Sequence, residues 1–121
     1  MAIERLVVRG EDVETERYDW GEIVWLDEAA LTGTDALTVG EVTIHAGAAN
    51  GEHYHPDCDE ALYLLAGRLR HTLGDEVTTL APGDLLHVPQ GERHRAESIG
   101  DTDARAVIAY DTGHREAVFV E

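Results

Sequence analysis

Gly47-Ala-Ala-Asn-Gly-Glu-His53-Tyr-His55-Pro-Asp-Cys-Asp-Glu60-Ala-Leu-Tyr-Leu-Leu-Ala-Gly67 is the stretch that decides how this chain is read. Two histidines with one residue between them share a face only on a β-strand, where side chains alternate. A glutamate just past the Pro-Asp-Cys-Asp turn can return on the neighbouring strand and join them. Imidazoles and a carboxylate gathered on one concave β surface suit a divalent transition metal.

The chain on either side is rich in strand signals. Leu6–Val8, Ile23–Leu26, Leu37–Ile44, Ala61–Leu65, Leu69–Leu73, Val77–Leu80, Leu85–Val88, Ala104–Tyr110 and Ala117–Val120 are enriched in β-branched, aromatic and other apolar residues. Turn residues separate them, among them Asn50-Gly51, Gly74-Asp75, Gly91 and Gly100-Asp101. Pro82-Gly83 suits the two central positions of a type II turn, because Pro presets φ at the first and Gly supplies positive φ at the second. Leu26–Leu31 is the one helix-like stretch, a turn or two at most. Short strands at this spacing predict an all-β sandwich or barrel. Alternation places Glu60, Leu62 and Leu64 on one face, and Leu69, His71 and Leu73 on another, so both faces are expected inside.

A second segment repeats the logic of the first: Gly83-Asp-Leu-Leu-His-Val-Pro89-Gln-Gly91-Glu-Arg-His94 runs a strand into a Pro/Gly turn and returns with a histidine. Together the two segments resemble the cupin superfamily. Its first motif, G-x5-H-x-H-x3-4-E-x6-G, is met over residues 47–67, and its second, G-x5-P-x-G-x2-H-x3-N, over residues 83–98. Ser98 stands where the second motif has Asn, a position that is not a metal ligand in the family. A lone H-x-H would be weak; nine fixed positions at the right spacing are specific.

The resemblance implies a double-stranded β-helix of the jelly-roll type, one cupin domain over residues 1–121, with His53, His55, Glu60 and His94 as ligands of one divalent transition metal. Three neutral imidazoles and a carboxylate leave such an ion positively charged. An octahedral ion keeps two positions open for water, O2 or a chelating substrate, which suits Fe, Mn, Ni or Co, with Cu also compatible. Zn at four or five coordination would act as a Lewis acid. His71, inward by parity, is the candidate acid/base; the competing reading for His71 and for His87 is a core histidine bonded to a backbone carbonyl. His45 and His114 read as surface or edge residues. Cys58 reads as a turn residue whose thiol is kept protonated by Asp57 and Asp59. Tyr54 and Tyr63 face away from the ligands and are expected to pack between sheets, and Tyr110 could line the mouth. Trp20 and Trp25 read as core cover or as a contact in a homodimer, since small cupins commonly pair through N-terminal strands.

The charge is extreme. Twenty-five acids face nine bases, all of them Arg, for a formal net charge of −16 over 121 residues. Such a surface repels nucleic acid and anionic membranes, so neither is expected as a partner. The acidity fits either a solvated surface or a halophile's adaptation to high salt, where screening removes self-repulsion; the second predicts a Tm that rises from low to molar salt. No apolar run is long enough to cross a bilayer, and the first residues lack the pattern of a signal peptide. One cysteine allows no internal disulfide, consistent with a cytoplasmic protein.

Two functions from different classes remain. A metalloenzyme of dioxygenase, isomerase, lyase or cyclase type would use the open coordination positions on a small oxygenated substrate. A non-catalytic module would bind or sense a small molecule in the same place. The fold hosts both; the open positions favour the enzyme.

Overall fold

The structure, a computed structural model, describes residues 3–120. Eleven strands follow one another: β1 (Thr15–Tyr18), β2 (Gly21–Asp27), β3 (Thr38–Ile44), β4 (His53–Tyr54), β5 (Glu60–Ala66), β6 (Leu69–Leu73), β7 (Glu76–Leu80), β8 (Leu85–Val88), β9 (His94–Ser98), β10 (Ala104–Tyr110) and β11 (Val118–Phe119). They form a six-stranded sheet in the order β1-β2-β3-β10-β5-β8 and a five-stranded sheet in the order β11-β4-β9-β6-β7. Every pairing is antiparallel. The expected all-β jelly roll is what the chain adopts.

The core lies between the sheets and follows from alternation. On β10, Ala104, Ala106, Ile108 and Tyr110 are buried while the residues between them are not. On β5, Glu60, Leu62 and Leu64 turn inward, and on β6 Leu69 and His71 do so, as their parity predicts. Val42 and Ile44 from β3, Trp25 from β2, Leu80 from β7 and Ala96 from β9 complete the cluster. Tyr63 is a correction: it faces away from the histidine cluster as expected, but among the described residues no second layer covers that face, and the residue is 42% exposed.

The turns use the residues the sequence offers. Ala81-Pro82-Gly83-Asp84 closes with the Asp84 N–H donating to the Ala81 carbonyl at 3.0 Å, and Gly83 takes φ +97°, as a type II turn requires. Gly67, the last glycine of the first motif, has φ +83°, and a Cβ there would lie 2.7 Å from Ala104 Cα. Both the left-handed backbone and the close approach of β10 call for glycine. Gly67→Ala is expected to cost about 2 kcal/mol or more in urea unfolding, since neither the strain nor the backbone contact can relax cheaply.

Two sequence expectations needed correction. Leu6–Val8 does not form a strand; Ile3–Leu6 is a 3-10 turn with every residue exposed. Apolar residues of this kind form a strand only where a neighbour accepts their ladder, and no strand among the described residues pairs with them. The helix is shorter and later than expected, α1 (Ala29–Thr32), ended by Gly33 at φ +78° with its N–H on the Ala29 carbonyl at 2.8 Å. Thr15–Tyr18, a polar and wholly exposed edge strand, carries no apolar signal and was not foreseen.

Candidate metal centre

The two motifs meet inside one end of the barrel. His53 opens β4 in the five-stranded sheet, and His94, its direct cross-strand neighbour, opens β9. His55 follows β4 by one residue. Glu60 opens β5 in the other sheet, so the carboxylate arrives from the facing sheet rather than from a neighbouring strand. The loop between His55 and Glu60 is fastened by the turn of the second motif. Gly91 N–H donates to the His55 carbonyl at 2.9 Å, the Gln90 side-chain amide to the Pro56 carbonyl at 2.7 Å, and Gln90 N–H to Asp59 Oδ1 at 2.9 Å. The Pro89-Gln90-Gly91 turn thus fixes where the first motif's loop runs.

Each of the three rings is held by its Nδ1. His53 Nδ1 meets the Gly51 carbonyl at 2.7 Å, His55 Nδ1 the Glu116 carbonyl at 2.7 Å, and His94 Nδ1 the Glu92 carbonyl at 3.0 Å. A carbonyl can only accept, so each Nδ1 carries the proton and each Nε2 presents a lone pair. The ligand-competent atoms of the three histidines lie within 4.8 Å of one another. Glu60 Oε1 sits 3.3 Å from His55 Nε2 and 3.1 Å from His94 Nε2. None of these three atoms makes a hydrogen bond among the described residues, although His55, Glu60 and His94 are only 3–5% exposed.

Leaving a buried polar atom unpaired costs about 1–3 kcal/mol each. Three such atoms converging on one point, with fixed Nδ1 partners behind the rings, form a donor set that fits a cation and fits little else. The three histidines could hold a metal ion.

The electrostatics agree. Burial works to raise the Glu60 carboxyl, but the His55 and His94 rings outweigh it and hold it below the ordinary carboxylate range. Burial works to lower His94, and Glu60 outweighs that in turn and holds the ring above its ordinary value. His53 is lowered from 6.5 to about 4 by burial, reinforced by His94.

A cavity of about 420 Å3 opens over this cluster. Its walls are largely apolar and aromatic: Trp20, Trp25, Leu62, Ile108, Tyr110 and Phe119, with His71 deep inside. His71 is 1% exposed and stacks on His94 at 5.8 Å between centroids; its Nδ1 has no hydrogen-bond partner. Burial, with the charge of His94, lowers it to about 4, so it is a neutral base across the physiological range. The unfolded ring takes up a proton near pH 6.5 and the folded ring only near 4. Between those values the unfolded state binds more protons. The His71 contribution to the stability of the metal-free protein is therefore complete above pH 6.5 and falls as pH drops toward 4, by about 3 kcal/mol. Urea unfolding at pH 7 and pH 4.5 checks this, with His71→Gln expected to flatten the slope.

The remaining candidates lie elsewhere. His87 is neither in the core nor in the cavity; it is exposed on β8 and pairs with Asp59 at 2.7 Å, adding to the clamp on the loop. His45 and His114 are exposed, paired with Asp103 and Asp35. Cys58 sits in the turn as expected but is 2% exposed, and burial first, then Asp57, pushes its thiol up to about 12. Ser98 is fully buried and is tied by its backbone to Gly47 and Ala48, so the departure from Asn leaves the strand crossing intact.

Sequence reasoning missed what the C-terminal segment contributes. The Glu116 carbonyl holds His55, and Arg115, Ala117 and Phe119 turn into the cavity. Phe119 stacks on His53 at 5.1 Å. The alternation Arg115, Ala117, Phe119 was the available signal.

Residues 40–110 match the model of the Cupin domain family. Among curated proteins, Polyketide synthase CurC of Streptomyces cyaneus is 32% identical over 102 residues, covering 84% of this chain and 66% of its own length. Tetracenomycin polyketide synthase protein TcmJ of Streptomyces glaucescens is 38% identical over 76 residues, covering 63% of this chain and 51% of its own. Among solved structures, an oxalate decarboxylase from Lactobacillus farciminis superposes with a TM-score of 0.84 at 16% identity, over 91% of this chain and 34% of that one, a likeness of fold alone. The chain thus spans one half to two thirds of the polyketide-synthase relatives and a third of the decarboxylase. With the family match over most of its length, the jelly-roll sheets and a three-histidine cluster inside the barrel, this chain belongs to the cupin family.

Proposed function

We propose that His53, His55, Glu60 and His94 bind one divalent transition metal, and that the chain is a metal-dependent enzyme acting on an oxygenated molecule of polyketide type. The observation that carries the metal reading is the convergence of His55 Nε2, His94 Nε2 and Glu60 Oε1, buried and without hydrogen bonds. The substrate class rests on the polyketide-synthase relatives and on a cavity of about 420 Å3 lined by aromatic side chains.

The bound ion supplies Lewis-acid polarisation of a substrate oxygen. The chain's own residues do the rest. The backbone carbonyls of Gly51, Glu116 and Glu92 fix the three rings, so no reorganisation is needed on binding. Trp25, Leu62, Ile108 and Phe119 exclude water and hold a flat substrate against the site. His71, neutral and unpartnered at Nδ1 among the described residues, takes a proton from a carbon flanked by two carbonyls. That carbon adds to a second carbonyl carbon of the same molecule, whose C=O π bond opens, and the ring returns the proton to the resulting alkoxide oxygen, which is cyclase-type chemistry. Return to the enolate oxygen itself is isomerase-type.

Metal-loaded protein incubated with a panel of aromatic-forming 1,3-diketones tests this by product analysis. The expected result is turnover that His71→Gln lowers by about 100-fold or more without changing metal content. Tight binding with no turnover would replace the enzyme by a small-molecule-binding cupin.

A further inference from the structure

Arg115 is unlike the other arginines. Every other arginine in the chain is exposed, whereas Arg115 is half-buried and lines the cavity above the histidine cluster. Its guanidinium lies 4.0 Å above the Trp25 ring centroid and 5.5 Å from that of Tyr110. Tyr110 in turn packs 5.0 Å from His55, so one aromatic ring touches both the guanidinium and the cluster.

In a chain with 25 acids, this inward cation has no acidic partner among the described residues. Among the described residues no carboxylate comes within 4.0 Å of Arg115, and none of its N–H groups finds an acceptor. Of the three acids that line the adjoining groove with it, two are otherwise engaged, and the third, Glu28, makes no ion pair with it. Glu16, which lines the adjoining groove with Arg115, accepts from Trp25 Nε1 at 3.1 Å and from the Tyr18 hydroxyl. Asp35, in the same groove, pairs with His114 at 2.9 Å. Stacking on Trp25 uses only the flat face of the guanidinium. Its N–H donors lie in the plane and stay free for a planar, ionised oxygen group.

A surface of net charge −16 repels anions, so a cavity that takes one needs local positive charge. We propose that Arg115 is the specificity-determining residue of this cavity, binding the ionised carboxylate or enolate oxygen of a flat aromatic ligand whose rings lie in the cavity beside it. The proposal rests on the reading of this cavity as the substrate site and narrows the substrate to an anion.

Calorimetric titration of the metal-free protein with 2-naphthoate and with 2-naphthol tests it. The wild type is expected to bind 2-naphthoate more tightly than 2-naphthol. Arg115→Gln, its fold checked by Tm and near-UV circular dichroism, is expected to lose affinity for 2-naphthoate by at least about tenfold while 2-naphthol stays within about twofold; Arg115→Lys recovers part of the loss. No preference for the anion in the wild type, or an equal loss for both probes in Arg115→Gln, overturns the proposal, the second leaving Arg115 as packing for Trp25. Because no metal is present, the outcome is independent of whether the metal-dependent activity exists.

Discussion

His94→Ala is expected to stay folded and to lose stoichiometric metal. The ring is 3% exposed, so its removal forfeits buried apolar area and leaves a void, which costs about 2–3 kcal/mol. In the metal-free protein the substitution also removes the lowering influence His94 exerts on His53 and His71, but it takes from the buried Glu60 carboxylate one of the two rings that hold it ionised, so the two effects oppose each other. The metal has no such compensation. Sharing about 10–16 kcal/mol of binding among four ligands puts each near 3 kcal/mol, or about a hundred- to thousandfold in affinity. Elemental analysis and urea unfolding on the same preparation separate the two effects. One metal per chain in both wild type and variant would remove His94 from the proposed ligand set.

The second large effect is on pH. Metal and proton compete for the Nε2 lone pairs, so affinity falls as pH drops. Glu60 holds His94 above the ordinary imidazole value, so competition starts at this ring as pH falls. His53, lowered to about 4, joins only in acid. Glu60 itself is held below the usual carboxylate range and stays ionised throughout. The dissociation constant is therefore expected to weaken by about tenfold per pH unit once His94 takes a proton, and more steeply as pH approaches 4. Competition against a fluorescent chelator at pH 8, 7, 6 and 5 measures the slope. A flat profile, or full occupancy at pH 4, would contradict a three-histidine site. Glu60→Gln gives an internal control: without the carboxylate that raises it, His94 should release its proton at lower pH, moving the onset of competition to more acid values.

Much of this was legible in the chain because strand geometry leaves few choices. His53 and His55 at i, i+2, with Glu60, Leu62 and Leu64 on one face, could be read by counting alternation. The Pro89–Gly91 turn marked where His94 returns. What alternation cannot give is which strand lies opposite which. Glu60 was expected on a neighbouring strand and comes from the facing sheet, where it meets the Nε2 atoms of His55 and His94. His87 looked like His71 in sequence, apolar on both sides, yet one pairs with surface Asp59 and the other packs under His94. Strand β8 lies at the edge of its sheet, and only the register decides which way its histidine points. Arg115 escaped notice because its meaning depends on Trp25 and Tyr110, which reach it from strands far apart in the chain.

Anomalous diffraction at the metal absorption edge, on crystals of protein purified without chelators or added nickel, tests the central claim most directly. The account predicts one strong peak per chain inside the barrel, bonded to Nε2 of His53, His55 and His94 and to a carboxylate oxygen of Glu60. A peak elsewhere, or no peak in protein crystallised with excess divalent metal at pH 8, would contradict it.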